Sequence, residues 1–575
     1  MRVWPALRGV LILSPAVALV AAGVVFTARQ FDGDAAPPPE PQGGRLVVVV
    51  VFDQLRGDYL DRWSQLFGPG GFEKFKAGGV WYSQAHIPYA VTTTGPGHAT
   101  LSTGVPPRAH GVVDNAWFDR GLGKSVYCTT GDRSYDRVPP PGVIVPTLGG
   151  GQSPDRLLAA TVGDALVAAN KGRVVSLALK DRAAVMLGGK NPTATYWFDS
   201  GGGQFVTSSY YRDRLPPWAE AFNAAKPAER FVGRDWTRLL DPAVYDLHAG
   251  PDAGAGEGAA NLFPHRLPAG GKTYDALMAS PAGNELLWEF AQAAIDAEGL
   301  GRRGGTDLLL LGFSANDYVG HAYGPDSQEV LDVTVRSDRL LADVVAKLTE
   351  KLGADRLSFV LSADHGVCPL PERALASHPE AQRFDPVATY LPLNAVLDAR
   401  FGPGDKPGQW VERIDFPWLY LNQRHIAARQ LDRAAVERAA AEWAGNRPEV
   451  AEAAFPRSLL SGPPLEEPFA LAAQMSFHPD RCGDVYLLAR PYTYPGGKLA
   501  SGTTHGSPHP YDTHVPILAF GANVPKLGER TGRVSSLLFA PIVAHCLGLD
   551  PLPGRSERLP AEWRVGGVSS DTPAR

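Results

Sequence analysis

The most constraining feature of this chain is a run of seven uninterrupted apolar residues, Leu46 to Phe52, that stops dead on Asp53. A strand that is apolar at every position, rather than at alternate ones, is buried on both faces, as in a parallel sheet covered by helices on either side. The same pattern recurs at Val174–Leu179 before Lys180-Asp181, at Leu308–Phe313 before Asn316-Asp317, and at Leu357–Leu361 before Asp364-His365. Val515–Phe520 is a fifth run of the same kind. In open α/β sheets the ligand crevice lies beyond the carboxyl ends of the strands, where these polar groups fall.

Helical spacing alternates with the strands. Asp155–Asn170 carries Leu157, Leu158, Val162, Leu166 and Val167 on one face, and Asn284–Glu298 repeats the period. A longer helix is predicted from Asp326, with Glu329 as its capping-box partner, to a stop at Gly353. The implied fold class is α/β, a three-layer sandwich of a mostly parallel sheet flanked by helices. Two stretches interrupt the alternation and are read as insertions: residues 191–271, rich in aromatics, glycine and proline, and residues 384–477, with a strand at Trp418–Leu421 and a helix at Ile426–Ala444. Residues 45–560 then form one catalytic domain, and residues 561–575 a polar, frayed tail.

Arg2 and Arg8 precede an apolar stretch from Gly9 to Phe26, so residues 1–30 read as a signal peptide or an N-terminal membrane anchor. Residues 31–44, with Pro-Pro-Pro-Glu-Pro, follow as an extended linker. This polarity puts the rest of the chain outside the cytoplasm, periplasmic or extracellular, secreted or tethered. The net charge of −5 excludes the basic footprint of a nucleic-acid binder. Cys128, Cys368, Cys482 and Cys546 are widely spaced, and either disulfides or buried free thiols fit them.

The candidate chemistry gathers around Val91-Thr92-Thr93-Thr94-Gly95-Pro96-Gly97-His98, a hydroxyl-rich run entering a helix. A hydroxyl at a helix N-terminus sits where unpaired N–H groups and the dipole favour an alkoxide and an incoming anion. Spacing alone leaves Thr92, Thr93 and Thr94 all open as the nucleophile. Asp317 and His321, four apart on a helix, share one face. With Asp53, Asp364, His365 and His505 they make three carboxylates and three imidazoles, a donor set suited to zinc rather than magnesium or calcium.

Taken in order, Asp53, Thr94 before Gly-Pro-Gly-His, N-D-x-x-x-H at 316–321, A-D-H-G at 363–366 and T-H-G-S at 504–507 resemble the alkaline phosphatase superfamily, most of all its PafA-type (phosphate-irrepressible) periplasmic enzymes. The resemblance selects Thr94 as nucleophile and implies two zinc ions. Asp317, His321 and His505 would hold one; Asp53, Asp364 and His365 would hold the other, with Thr94 as its fourth ligand. It also implies that Asn115, Lys180 and Arg182 bind the non-bridging phosphoryl oxygens, and that Trp197–Ser200 and Ser208–Tyr211 shape the pocket. His98 is read as a packed histidine and His514 as a neighbour of the metals. The expected activity is hydrolysis of small-molecule phosphate monoesters through a phosphothreonine, by a monomer. A phosphodiesterase or nucleotide pyrophosphatase on the same scaffold is the alternative, and an inactive binding protein a distant one.

Overall fold

The computed structural model describes residues 43–564 apart from 132, 140–150, 253, 255, 258–261, 271, 407, 448, 497–500, 550–554 and 556. The expected signal or anchor, nearly all of the linker and residues 565–575 lie outside the described residues. Among the described residues no helix is long and apolar enough to cross a membrane.

The sheet is built around β1 (Arg45–Phe52), whose seven apolar residues are all buried. Its strands are β2 (Val80–His86), β3 (Val174–Ala178), β4 (Ala194–Asp199), β5 (Gln204–Ser208), β6 (Thr306–Phe313), β7 (Leu357–Ser362) and β8 (His514–Gly521), with short edge strands at Gly528–Arg530, Val534–Ser535 and Arg137–Val138. The order is β2-β8-β7-β1-β6-β3-β4-β5. The centre, β7-β1-β6-β3-β4, is parallel, whereas β8 runs antiparallel to both its neighbours and β5 antiparallel to β4.

Alternation along β1 shows both faces to be covered. Leu46, Val48, Val50 and Phe52 share a core with Leu286, Leu341 and Val345, from the helices Pro281–Glu298 and Gln328–Leu352. Val47, Val49 and Val51 point the other way, into a core with Phe539, Ile542 and Val543 of the helix Phe539–Cys546. That is the three-layer sandwich the apolar runs imply.

Four sequence readings need correction. The helix expected over 155–170 is only Val162–Ala168, because Thr161 and Asp164 close a capping box that starts the helix late. The long helix begins after Ser327, whose side chain takes the Val330 N–H; Glu329 bonds His265 instead of capping, and the helix runs unbroken to Leu352. The segment 191–271 is not wholly an insertion, since β4 and β5 extend the main sheet. In the other insertion the single helix of 426–444 is two, Gln423–Ala428 and Arg433–Gly445, split where Gln430 turns left-handed and Asp432 caps anew. Its strand Trp418–Leu421 joins a four-stranded sheet that reaches Ala489, past the expected boundary.

The polar tail is anchored at its start: Trp563 is buried and donates to the Tyr82 hydroxyl at 2.8 Å. All four cysteines are buried free thiols.

Candidate active site

Helix α1 (Thr94–Thr103) starts on Thr94, and every one of its residues is buried. Asn115 Oδ1 accepts the Gly95 N–H at 2.7 Å, taking one of the donors a helix start leaves free. The three threonines separate by partner. Thr92 donates its hydroxyl to the Ser507 carbonyl and Thr93 to Asp114, both at 2.9 Å. The Thr94 hydroxyl lies 3.4 Å from His365 Nε2.

The strand ends deliver the rest. Asp53 follows β1, Lys180 follows β3, Asp364 and His365 follow β7, and Asp317 and His321 share one face of the helix Ala315–Tyr323 after β6. His505 arrives on the loop before β8. Each imidazole is fixed through Nδ1 to a backbone carbonyl: His321 to Thr503 and His505 to Thr92, both at 2.7 Å, and His365 to Gly366 at 2.9 Å. That leaves each Nε2 facing carboxylate, the orientation metal-ligating histidines adopt. His321 Nε2 is 3.2 Å and His505 Nε2 3.5 Å from Asp317 Oδ1. His365 Nε2 is 3.4 Å from Asp53 Oδ1 and 3.3 Å from Asp364 Oδ2.

This donor set fits divalent cations. Both oxygens of Asp53 and Oδ2 of Asp364 are buried without a properly directed hydrogen-bond donor, although the Lys180 ammonium stands 2.7 Å from Asp53 Oδ2 and 2.5 Å from Asp317 Oδ2. Asp317, His321 and His505 form one convergent group, as expected from sequence. The second gathers around Asp53 in two overlapping combinations, with Asp317 and His365 and with His98 and Asp364, so His98 joins the expected set. Burial, reinforced by the charge of Asp364, pushes the Asp53 carboxyl up to about 8. Burial pulls His365 down to about 3. It also works against the charged form of Asp317, yet His321 and Lys180 hold that carboxyl well below the usual range. So much negative charge in a low-dielectric space calls for positive charge beyond one lysine.

Lys180 and Arg182 leave β3 together. Lys180 is buried, and Asp317 and Asp53 raise it above its ordinary value against the pull of burial. Arg182 donates to the Tyr127 hydroxyl at 3.3 Å, and Tyr127 in turn donates to Asp181 at 2.8 Å. Both side chains line a cavity of about 1240 Å³ with Leu179, Trp197, Phe198 and Tyr318; Thr94, Asp53, Asp317 and Asp364 are not on its wall. Phe198 and Ser200 fall there as the sequence expects, whereas Tyr211 packs back onto the Gly189 carbonyl.

Sequence reasoning missed one residue, read a second as packing alone, and misplaced a third. Gln54 donates its N–H to Asp364 Oδ1 at 3.1 Å and its amide to Asp317 Oδ1 at 2.8 Å. His98 is fully buried with Nδ1 3.0 Å from both the Thr94 carbonyl and Asp364 Oδ2; its position one turn after Thr94 was the available signal. His514 bonds the Ser83 carbonyl and stacks on His86 instead of standing by the ligand residues.

A buried cluster of carboxylates and imidazoles around a threonine that opens a helix, on a sandwich of this type, fits a phosphoester hydrolase. The model of the type I phosphodiesterase/nucleotide pyrophosphatase family matches residues 47–512, and the chain belongs to that family, within the alkaline phosphatase superfamily. It is 32% identical over 528 residues to alkaline phosphatase PafA of Elizabethkingia meningoseptica, covering 90% of this chain and 93% of the relative. It is 31% identical over 527 residues to alkaline phosphatase PhoV of Synechococcus elongatus, covering 88% and 90%. The crystal structure of wild-type PafA superposes with a TM-score of 0.80 at 31% identity, over 91% of this chain and 99% of that one. The resemblance read from the motifs is thereby borne out.

Proposed function

We propose that the chain hydrolyses phosphate monoesters of broad structure, with Thr94 as the phosphoryl acceptor and two zinc ions as cofactors. The observation that supports the monoester reading is the pair of cations Lys180 and Arg182, which leave β3 together and line one cavity, with Asn115 at the start of the Thr94 helix, its carbonyl engaged by Gly95 N–H so that its NH2 group is the part left to donate. A monoester dianion offers three non-bridging oxygens for three such groups, and a diester one charge fewer.

Asp317, His321 and His505 would hold one ion, and Asp53, Asp364 and His365, with Thr94, the other. Bound there, the ions supply a lowered hydroxyl pKa and charge stabilisation at the leaving oxygen. Thr94 Oγ1, its proton released to solvent, forms a bond to phosphorus as the ester P–O bond breaks, and the departing alkoxide takes a proton from solvent. Water then attacks the phosphothreonine, releases inorganic phosphate and restores the hydroxyl. Lys180, Arg182 and Asn115 hold the phosphoryl oxygens throughout, and the α1 N-terminus adds its positive end. The N-terminal segment supports export to the periplasm or beyond.

The deciding experiment compares kcat/KM for a monoester and a matched diester, with zinc content measured on the same samples. The expected result is a monoester preference of orders of magnitude, and in Thr94→Ala a loss of turnover with zinc retained. Equal or reversed rates overturn the monoester reading in favour of the diesterase that the family name describes. Near-wild-type turnover in Thr94→Ala overturns the nucleophile.

A further inference from the structure

Gln54 follows directly on Asp53 with φ of 68°, a left-handed conformation that side chains other than glycine or asparagine enter only at a cost. It is 3% exposed, so no solvent-facing turn explains the choice. The strained backbone aims two donors in different directions. The main-chain N–H meets Asp364 Oδ1 at 3.1 Å, and the side-chain amide meets Asp317 Oδ1 at 2.8 Å. Asp364 belongs to one proposed ion site and Asp317 to the other.

The neighbouring helix is shaped around this side chain. A Cβ on Gly320 would fall 1.7 Å from Gln54 Oε1, so the helix Ala315–Tyr323 carries glycine in its interior, against helix propensity, where the amide packs. Lys180 already stands 2.5 Å from Asp317 Oδ2. Without the Gln54 amide on Oδ1, only the His321 and His505 Nε2 atoms, at 3.2 and 3.5 Å, oppose rotation of the carboxylate onto the ammonium. Gln54 blocks that rotation and adds no charge of its own.

We infer that Gln54 is a positioning residue that ties the two ion sites together, orienting Asp364 through its backbone and Asp317 through its amide. The inference rests on the two-ion reading above. Both variants remove the amide half of the role and leave the main-chain N–H in place. Gln54→Met keeps the volume and the main-chain N–H but removes the amide donor. Gln54→Gly removes the donor and also releases the left-handed strain.

The test is titration of the metal-stripped full chain with Zn2+ against a competing chromophoric chelator, together with melting of the metal-free protein. Wild type is expected to take up two equivalents. Both variants should hold one equivalent with unchanged affinity and the other about 10- to 100-fold more weakly, the usual cost of losing a group that orients a ligand. In Gln54→Gly the metal-free melting temperature should equal or exceed that of wild type. If both equivalents keep their affinity, or both weaken in step with the metal-free melting temperature, the inference falls. Should Gln54→Met not fold, Gln54→Gly decides alone. A wild-type chain that takes up no zinc overturns the two-ion reading and this inference with it.

Discussion

Gly97, one turn into α1, faces the Asp364 turn across the helix of the proposed nucleophile, so Gly97→Ala tests the site without touching a proposed reacting group. A Cβ there would lie 2.4 Å from the Asp364 carbonyl oxygen and 2.6 Å from Asp364 Cβ. Ordinary contact begins at 3.4 Å, so helix and turn must part by about 1 Å. Neither side gives easily. All ten residues of α1 are buried, Ser102 is bonded to the Met186 carbonyl at 2.7 Å, and the obstructing atoms are the Asp364 backbone carbonyl and the Cβ fixed to it. Forced packing of this kind costs ~1–3 kcal/mol of stability. A 1 Å displacement between a nucleophile and its activating groups costs about 100-fold in rate, or about 2.7 kcal/mol of transition-state stabilisation. Initial rates with 4-nitrophenyl phosphate give kcat/KM, and thermal melting shows the variant to be folded. Gly95→Ala is the control: its Cβ would meet Asn115 Oδ1 and Cys128 Sγ at 3.2 Å, a gap that side-chain shifts of a few tenths of an ångström relieve. The expected order is wild type, then Gly95→Ala, then Gly97→Ala far below. A folded Gly97→Ala within about threefold of wild type refutes the reasoning, because that leaves under 1 kcal/mol for the displacement to cost.

Arg182→Ala removes one charge-assisted donor, worth ~1.5–3 kcal/mol, so kcat/KM for a monoester should fall about 10- to 100-fold and that for a diester less; equal losses refute the clamp. Asp512 is buried with Oδ2 accepting from Ser507 N at 2.9 Å and Oγ at 2.5 Å, and burial raises its carboxyl to about 7. A folded-state pKa above the unfolded one means that the native chain binds the extra proton between pH ~4 and ~7, so stability falls as pH rises through that window. Asp512→Asn should therefore gain on wild type in melting temperature from pH 5 to pH 8, and a constant difference refutes the buried charge. Trp563→Ala should cost ~3–5 kcal/mol and lower the melting temperature, and an unchanged melt means the tail does not hold the domain.

The strands were legible because an unbroken apolar run has few alternatives to a doubly covered strand, and β1, β3, β6 and β7 all end on the polar residues that the runs expose. The ligand candidates were legible for the same reason, since strand ends collect at one edge of a parallel sheet. β4 escaped because Ala-Thr-Tyr-Trp-Phe-Asp mixes polar and aromatic residues within a glycine-rich stretch, and its pairing with β3 is a long-range fact. Gln54 escaped because nothing in composition marks a glutamine for a positive φ; the nearest trace is Gly320, a glycine inside a helix some 266 positions away. His514 was misplaced because sequence order near a ligand loop does not fix the strand register, and in β8 it lies opposite His86.

The family model is named for diester and pyrophosphate cleavage, while relatives matched over most of their length are named alkaline phosphatases, and the proposed site accounts for both on one scaffold. The expected ion ligands come from the ends of β1, β6 and β7 and the loop before β8, a set that serves any in-line displacement at phosphorus. On the proposed reading, the charge that would select a dianion comes from a separate element, the turn after β3. There Arg182 is set in advance: its N–H is bonded to Asp181 at 2.6 Å and its guanidinium to the Tyr127 hydroxyl, which itself holds Asp181. A side chain already fixed loses little freedom on meeting a phosphoryl group, so its charge acts at nearly full strength. The proposal thus assigns reaction type and substrate class to different loops of the same sheet edge, so that a family could keep the first while changing the second at Lys180-Asp181-Arg182.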